Sequence, residues 1–288
     1  MRPCTPLCPR QARRLYRPHR RRPPRPGSTG YGHEDEGRIA LDSLFAELVG
    51  AEAALVRPQF FSGTHTIACA LYGTLRPGDE LLALAGHPYD TLEEVIGLRG
   101  RAGDGSLREL GVSYREVALA PDGGLDWPAI RAGVLRPETR VVLIQRSRGY
   151  AQRPTLTVDE IGRAVVALKQ QRPDVAVFVD NCYGEFTETR EPTAVGADLI
   201  MGSLIKNPGG TIVPCGGYVA GGAQYVANAS ARLCAPGIGA RMSRRDARQR
   251  TDAVACAAQA RTPGRRRASG GACFSRACSR RPAWWARR

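Results

Sequence analysis

A lysine amine can condense with an aldehyde, whereas arginine stays protonated and is a poor nucleophile. Of the 42 basic residues in this 288-residue chain only two are lysines, Lys169 and Lys206; the rest are arginines. Lys169 falls in Ile161–Gln171, where apolar residues at 161, 165 and 168 predict a surface helix with the amine toward water. Lys206 lies in Ser203-Leu-Ile-Lys-Asn-Pro-Gly-Gly, between the apolar Leu199-Ile-Met and a Pro-Gly-Gly turn. That sets it in a loop at a strand end, where an amine can hold a carbonyl compound covalently. The plain alternative is a surface loop lysine.

Other groups at strand ends suit the same chemistry. Ser62-Gly63-Thr64 opens a helix after an apolar run, and small residues there leave backbone N–H groups for a phosphate, although Ser and Thr are also ordinary N-caps. Val175-Ala-Val-Phe-Val-Asp180 ends an apolar strand on an acid 26 residues before Lys206. A carboxylate there can pair with a protonated pyridine nitrogen, or it can simply start a turn. Ser203 stands three residues before the lysine and can add a hydroxyl to the phosphate cup. Tyr89, in His87-Pro-Tyr-Asp-Thr, can stack on a flat ring or pack under a loop. Gln145-Arg-Ser-Arg-Gly-Tyr150 puts arginines at another strand end, suited to a carboxylate or phosphate or to plain solvation. His33, His65 and His87 have no metal-ligand spacing and read as local hydrogen bonding.

The elements that must position these groups alternate. Helices are predicted over Glu36–Val49, Thr64–Tyr72, Asp90–Leu98, Asp126–Val134 and Val158–Gln171. Strands are predicted over Ala53–Arg57, Glu80–Ala85, Tyr114–Leu119, Val141–Gln145, Val175–Asp180 and Leu199–Gly202, with a return strand at Gly217–Ala220. Strands apolar throughout, alternating with helices, give an α/β fold with a mainly parallel sheet covered on both faces. Ligand sites in such sheets lie beyond the carboxyl ends of the strands.

The net charge of +15 belongs to the ends of the chain. Residues 1–27 carry nine arginines and no acid, residues 241–288 fourteen arginines and two aspartates, and 28–240 is mildly acidic at −6. Neither end shows hydrophobic periodicity. Both read as disordered Arg-rich sequence of the kind an out-of-frame GC-rich gene gives, with RNA- or DNA-binding arms as the functional alternative. Nine scattered cysteines without a CxxC pair fit reduced thiols rather than a disulfide frame or a metal site. No apolar stretch reaches membrane-spanning length and no signal peptide is present, so the expected location is cytoplasmic.

Val179-Asp-Asn-Cys-Tyr183 and Ser203-Leu-Ile-Lys206 resemble the Asp-Asn-x-Tyr and Ser-x-x-Lys signatures of fold type I pyridoxal-phosphate enzymes of Cys/Met metabolism. The runs Ser28-Thr-Gly-Tyr-Gly, Arg57-Pro-Gln, Ser62-Gly-Thr-His, Gly86-His-Pro-Tyr-Asp-Thr, Gln145-Arg-Ser-Arg-Gly-Tyr and Gly202-Ser-Leu-Ile-Lys-Asn-Pro-Gly-Gly resemble the methionine gamma-lyase-like, or aluminium resistance, family over about 28–240. The resemblance implies a fold type I large domain over 28–240, binding pyridoxal 5'-phosphate. Lys206 would be the Schiff-base lysine and Asp180 the partner of the pyridine nitrogen. Tyr89 would stack on the ring, and Ser62, Gly63, Thr64 and Ser203 would hold the phosphate. Tyr31 would reach a neighbouring subunit's cofactor in a homo-oligomer. The implied activity is elimination of a thiol from a small sulfur amino acid; a beta-lyase, aldolase or aminotransferase reaction on the same fold is the alternative. The resemblance stops after Pro236-Gly-Ile-Gly-Ala240, where a family member continues through a C-terminal small domain, and this predicts a truncated, weak or inactive copy.

Overall fold

The structure is a computed structural model and describes residues 36–149, 153–210 and 212–239. Helix α1 (Glu36–Val49) ends at Gly50, whose φ of 67° is the left-handed turn that glycine takes freely. Then follow β1 (Ala53–Arg57), α2 (Gly63–Thr74), β2 (Glu80–Ala83), α3 (Asp90–Ile96), β3 (Ser113–Glu116), α4 (Trp127–Gly133) and β4 (Thr139–Gln145). Next come α5 (Val158–Gln171), β5 (Ala176–Asp180), a 3-10 turn at Pro192–Val195, β6 (Leu199–Ser203), β7 (Gly217–Gly221) and α6 (Ala223–Leu233). Local chemistry sets several starts: Thr157 and Glu160 form a reciprocal capping box on α5, and Asp126 caps α4.

The seven strands form one sheet in the order β1-β7-β6-β5-β4-β2-β3. All run the same way except β7, which is antiparallel to both of its neighbours. Each face buries its own core. One packs α1, α4 and α5 on the sheet through Leu41, Phe45, Ile130, Ile161 and Val165. The other packs α2, α3 and α6 through Ile67, Leu71, Leu92, Val226 and Ala229. This is the doubly covered, mainly parallel architecture expected from the sequence.

Two expectations need correction. Helix α6 was not anticipated: its buried residues (Val226, Ala229, Ser230) are few and small. Lys169 does not simply face water: its Nζ pairs with Asp198 Oδ2 at 2.8 Å and donates to the Val175 carbonyl at 2.7 Å. It ties α5 to the amino end of the sheet.

Candidate active site

Strand parity decides which side chains reach the site. Along β5, Ala176 and Phe178 belong to the core under α2, and Val177 and Val179 to the core under α1 and α5. Successive residues alternate faces, so Asp180 extends the first row. On β6, Ser203 follows Leu199 and Met201 to the α2 side, and on β4 Gln145 follows Val141 and Leu143.

Helix α2 points its N-terminus at these strand ends. Ser62 is its cap, accepting from the His65 N–H at 3.1 Å. The first backbone bond runs from Thr66 N to Ser62 O at 3.1 Å, so the N–H groups of Gly63 and Thr64 precede the helical ladder. A Cβ at position 63 would meet Cys182 Sγ at 3.2 Å, Ser203 Cβ at 3.4 Å and Lys206 Nζ at 3.8 Å. Glycine there leaves a cradle, and the cradle joins the helix N-terminus, the serine and the lysine in one place.

Tyr89 covers this cradle from the start of α3. Its hydroxyl donates to Thr64 Oγ1 at 2.9 Å, its N–H donates to Gln145 Oε1 at 3.1 Å, and Thr64 in turn lies 2.8 Å from Thr91 Oγ1. Burial and the Asp180 charge push the Tyr89 hydroxyl well up, so it stays a donor. Asp180 is 3% exposed and accepts from Cys182 N at 3.0 Å. Burial pushes its carboxyl up, while the Cys182 N–H and the Lys206 and Arg153 cations pull it back. Lys206 Nζ lies 4.3 Å from the centre of the Tyr183 ring and bonds the Cys182 thiol. Burial draws its pKa down, but the Cys182 sulfur, Asp180 and Tyr183 outweigh burial and hold the ammonium above its usual range.

Thus Lys206, Asp180, Tyr89, Ser62, Gly63, Thr64 and Ser203 gather at one set of strand ends. Ser203 Oγ itself turns to the Gly216 carbonyl at 3.3 Å and accepts from Ile205 N at 3.4 Å. Tyr31, His33 and Tyr150 lie outside the described residues. The arginine run needs correction at Arg146; Arg148 is exposed. Arg146 is 1% exposed and turned to the opposite face, where it bonds Asn181 Oδ1 at 2.7 Å, the Gly184 carbonyl at 2.8 Å and Glu188 Oε1 at 2.6 Å. It is a structural cation with no face left for an anion. His65 and His87 make local bonds, the latter to Glu116 and Glu93. Among the described residues no three His, Cys, Asp or Glu side chains gather as a metal site. Cys182 and Thr91 had been given no role; the signal for Cys182 was its place two residues after Asp180.

Known proteins carry the same arrangement of sequence and fold. The family model for methionine gamma-lyase matches residues 22–249, well over half of the chain. The chain belongs to the methionine gamma-lyase family. The uncharacterised protein YnbB of Bacillus subtilis is 52% identical over 212 residues, 74% of this chain and 50% of YnbB. The L-methionine gamma-lyase of Pseudomonas putida is 31% identical over 169 residues, 58% of this chain and 36% of that enzyme. A Listeria monocytogenes crystal structure, described as a candidate cystathionine beta-lyase involved in aluminum resistance, superposes with a TM-score of 0.77 at 46% identity. That match covers 82% of this chain and 58% of the Listeria chain. The chain therefore spans about half the length of its curated relative YnbB. The family and its neighbours give the sheet the fold of the type I pyridoxal-phosphate enzymes. Among the described residues, no helix of this family member is long and apolar enough to cross a membrane.

Proposed function

We propose that segment 28–240 is a pyridoxal-phosphate-binding domain and that its site serves carbon–sulfur bond cleavage in a small sulfur amino acid. The observation that carries this reading is the cradle at Gly63, where a helix N-terminus, a loop lysine and a strand-end serine meet within 4 Å of one point. The residues fit the cofactor. Gly63 and Thr64 offer backbone N–H groups to its phosphate, with the hydroxyls of Ser62, Thr64 and Ser203 around them. Lys206 is the amine for its aldehyde, and Asp180 is the buried carboxylate for its ring nitrogen. When bound, the cofactor supplies an electron sink beside the substrate's α-carbon.

The chain's own residues do the rest. Asp180 would keep a proton on the ring nitrogen, and its burial makes that ion pair strong. Lys206 Nζ would hold the cofactor's aldehyde carbon and would serve as general base toward the substrate's α-proton. Tyr89, a retained donor bonded to Thr64, would fix the face of the ring and tie it to the phosphate end. Tyr31 would come from a neighbouring subunit of a homo-oligomer, and the whole enzyme would work in the cytoplasm.

Borohydride reduction in the presence of pyridoxal phosphate, followed by peptide mapping, tests the reading. A pyridoxyl group is expected on Lys206 in the natural chain and in Lys169→Arg, and on neither lysine in Lys206→Arg. An adduct on Lys169 alone, or none on the natural chain, defeats it.

A further inference from the structure

Beneath the candidate site, on the opposite face of the sheet, lies a polar cluster that none of the steps above uses. It is built on the turn that follows Asp180. Two bulky residues of that turn, Tyr183 and Phe186, have φ of 67° and 58°, a left-handed conformation that such side chains seldom adopt. Between them Glu185 points inward and is 2% exposed. Tyr218 of β7 donates to its Oε1 at 3.1 Å, while Oε2 is buried without a hydrogen-bond partner. The fit is close: a Cβ on Gly202 would stand 2.6 Å from Glu185 Oε1 and 2.5 Å from the Tyr218 hydroxyl.

The turn is also tied to the lysine loop. Asn207, next to Lys206, donates through Nδ2 to the Tyr183 carbonyl at 2.9 Å and to the Glu185 carbonyl at 3.2 Å. Cys182 and Tyr183, from the same turn, are the groups that touch Lys206 Nζ.

We propose that Glu185 is a positioning residue for Lys206: seated against Tyr218, it locks the strained turn so that the Cys182 thiol and the Tyr183 ring bracket the amine. The meaning of that positioning rests on the reading of Lys206 as the cofactor lysine. The groups facing Glu185 explain its state. They are Tyr218 from β7, Asp180 from β5, Glu191 and Cys182; Arg146 from the end of β4 is engaged with Asn181, Gly184 and Glu188. Burial pushes the carboxyl up to about 8; its own N–H and Tyr218 oppose this, and Asp180 and Glu191 add to it. Near neutrality it is a neutral acid. Ionised, it would be an unpaired charge among other acids, and the turn would open.

The two lysines make the test internal. The cofactor-free full-length chain is treated with isotope-coded acetic anhydride, and the ratio of Lys206 to Lys169 acetylation is read by mass spectrometry. In the natural chain the ratio should rise about fivefold as pH passes through about 8. Glu185→Gln, which keeps the shape and cannot ionise, should hold the low ratio throughout. Glu185→Ala should show the high ratio at every pH, and Tyr218→Phe should do so where the alanine variant fails to fold. A Glu185→Gln chain that keeps the alkaline rise, or Glu185→Ala and Tyr218→Phe ratios equal to the natural one, overturns the proposal. The labelling needs no cofactor, so loss of the pyridoxyl adduct from the natural chain would strike the functional reading alone.

Discussion

Two glutamates with little exposed surface sit at opposite ends of this sheet, one held ionised and the other held neutral. Glu80, at the amino end of β2, accepts from Thr139 Oγ1 at 2.6 Å, from Arg115 at 2.9 and 3.1 Å and from Arg136 at 3.4 Å. Burial pushes its carboxyl up, but Arg115, Thr139 and Arg136 outweigh that and hold it below the usual range. Glu185, beyond the carboxyl end of β5, has Tyr218 on one oxygen and nothing on the other, and burial takes it up to about 8. Deeper burial and the lack of a cation both act at Glu185, whereas at Glu80 the cations outweigh a weaker desolvation. The amino end of the sheet is a closed set of ion pairs. At the carboxyl end Glu185 has one oxygen without a partner and the backbone beside it is strained, which is where α/β sheets keep their chemistry.

The contrast is most exposed to attack at Glu80. Glu80→Ala should cost about 3 kcal/mol in urea unfolding, because it strands Arg115 and the Thr139 hydroxyl; the access of Arg136 to water keeps the loss from being larger. Because its folded pKa is lowered, the stability Glu80 contributes is present above its unfolded value and lost as pH falls through the folded one. A loss within the error of the measurement would mean that the amino end is no clamp.

Glu185 should behave with the reverse sign. Its folded pKa, about 8, is above the unfolded value of 4.5, so the folded chain binds the extra proton. The stability linked to that proton is complete below the unfolded value and is lost as pH rises through about 8. Glu185→Gln should therefore gain on the natural chain as pH rises from the unfolded value of 4.5 toward about 8, and hold that gain in alkali. Thermal melts of the two chains across pH check this. Parallel curves would place the raised carboxyl elsewhere.

Much of the carboxyl end could be read from sequence, for identifiable reasons. Asp180, Ser203, Lys206 and Gly63 sit in short segments where an apolar strand meets a polar turn, and that boundary is local information. Elements with strong periodicity, such as Val158–Gln171, also have the bounds expected. What could not be read depended on pairing across the sheet. Arg146 looked like an anion ligand because position alone does not show which face it takes or that Asn181 and Glu188 wait there. Glu185 stands in a run that resembles the family but has no role legible in sequence, since the strain on either side of it and its missing partner are properties of the folded turn. Lys169 seemed solvated until β6 brought Asp198 to it.

Gly63→Ala sharpens the comparison from the other direction, by changing the site without touching either glutamate. The new methyl would press on Cys182 Sγ at 3.2 Å and Ser203 Cβ at 3.4 Å, contacts that a few tenths of an ångström of movement can relieve. Alanine also suits a helix better than glycine. Stability should change little, while affinity for pyridoxal phosphate should fall about tenfold, roughly 1.4 kcal/mol. Fluorescence titration reads the second effect and a melt the first. An unchanged affinity would remove the cradle from the binding site.

The smallest effect is expected at the other lysine. Lys169 and Asp198 are 28% and 23% exposed, and a pair that open to water contributes about 0.5 kcal/mol. Its bond to the Val175 carbonyl adds a little, because that carbonyl can turn to water once the amine is gone. Lys169→Met keeps the stem that packs on α5 and removes only the charge and the donor, so the melt should drop by about 1 kcal/mol or less, and less still in high salt. Lys206 faces the reverse conditions: a half-buried amine against a buried thiol and carboxylate, where screening is weak. Salt should therefore shift the acetylation of Lys169 and leave that of Lys206 nearly unchanged. Equal salt responses would mean that the two ends of the sheet share one electrostatic environment.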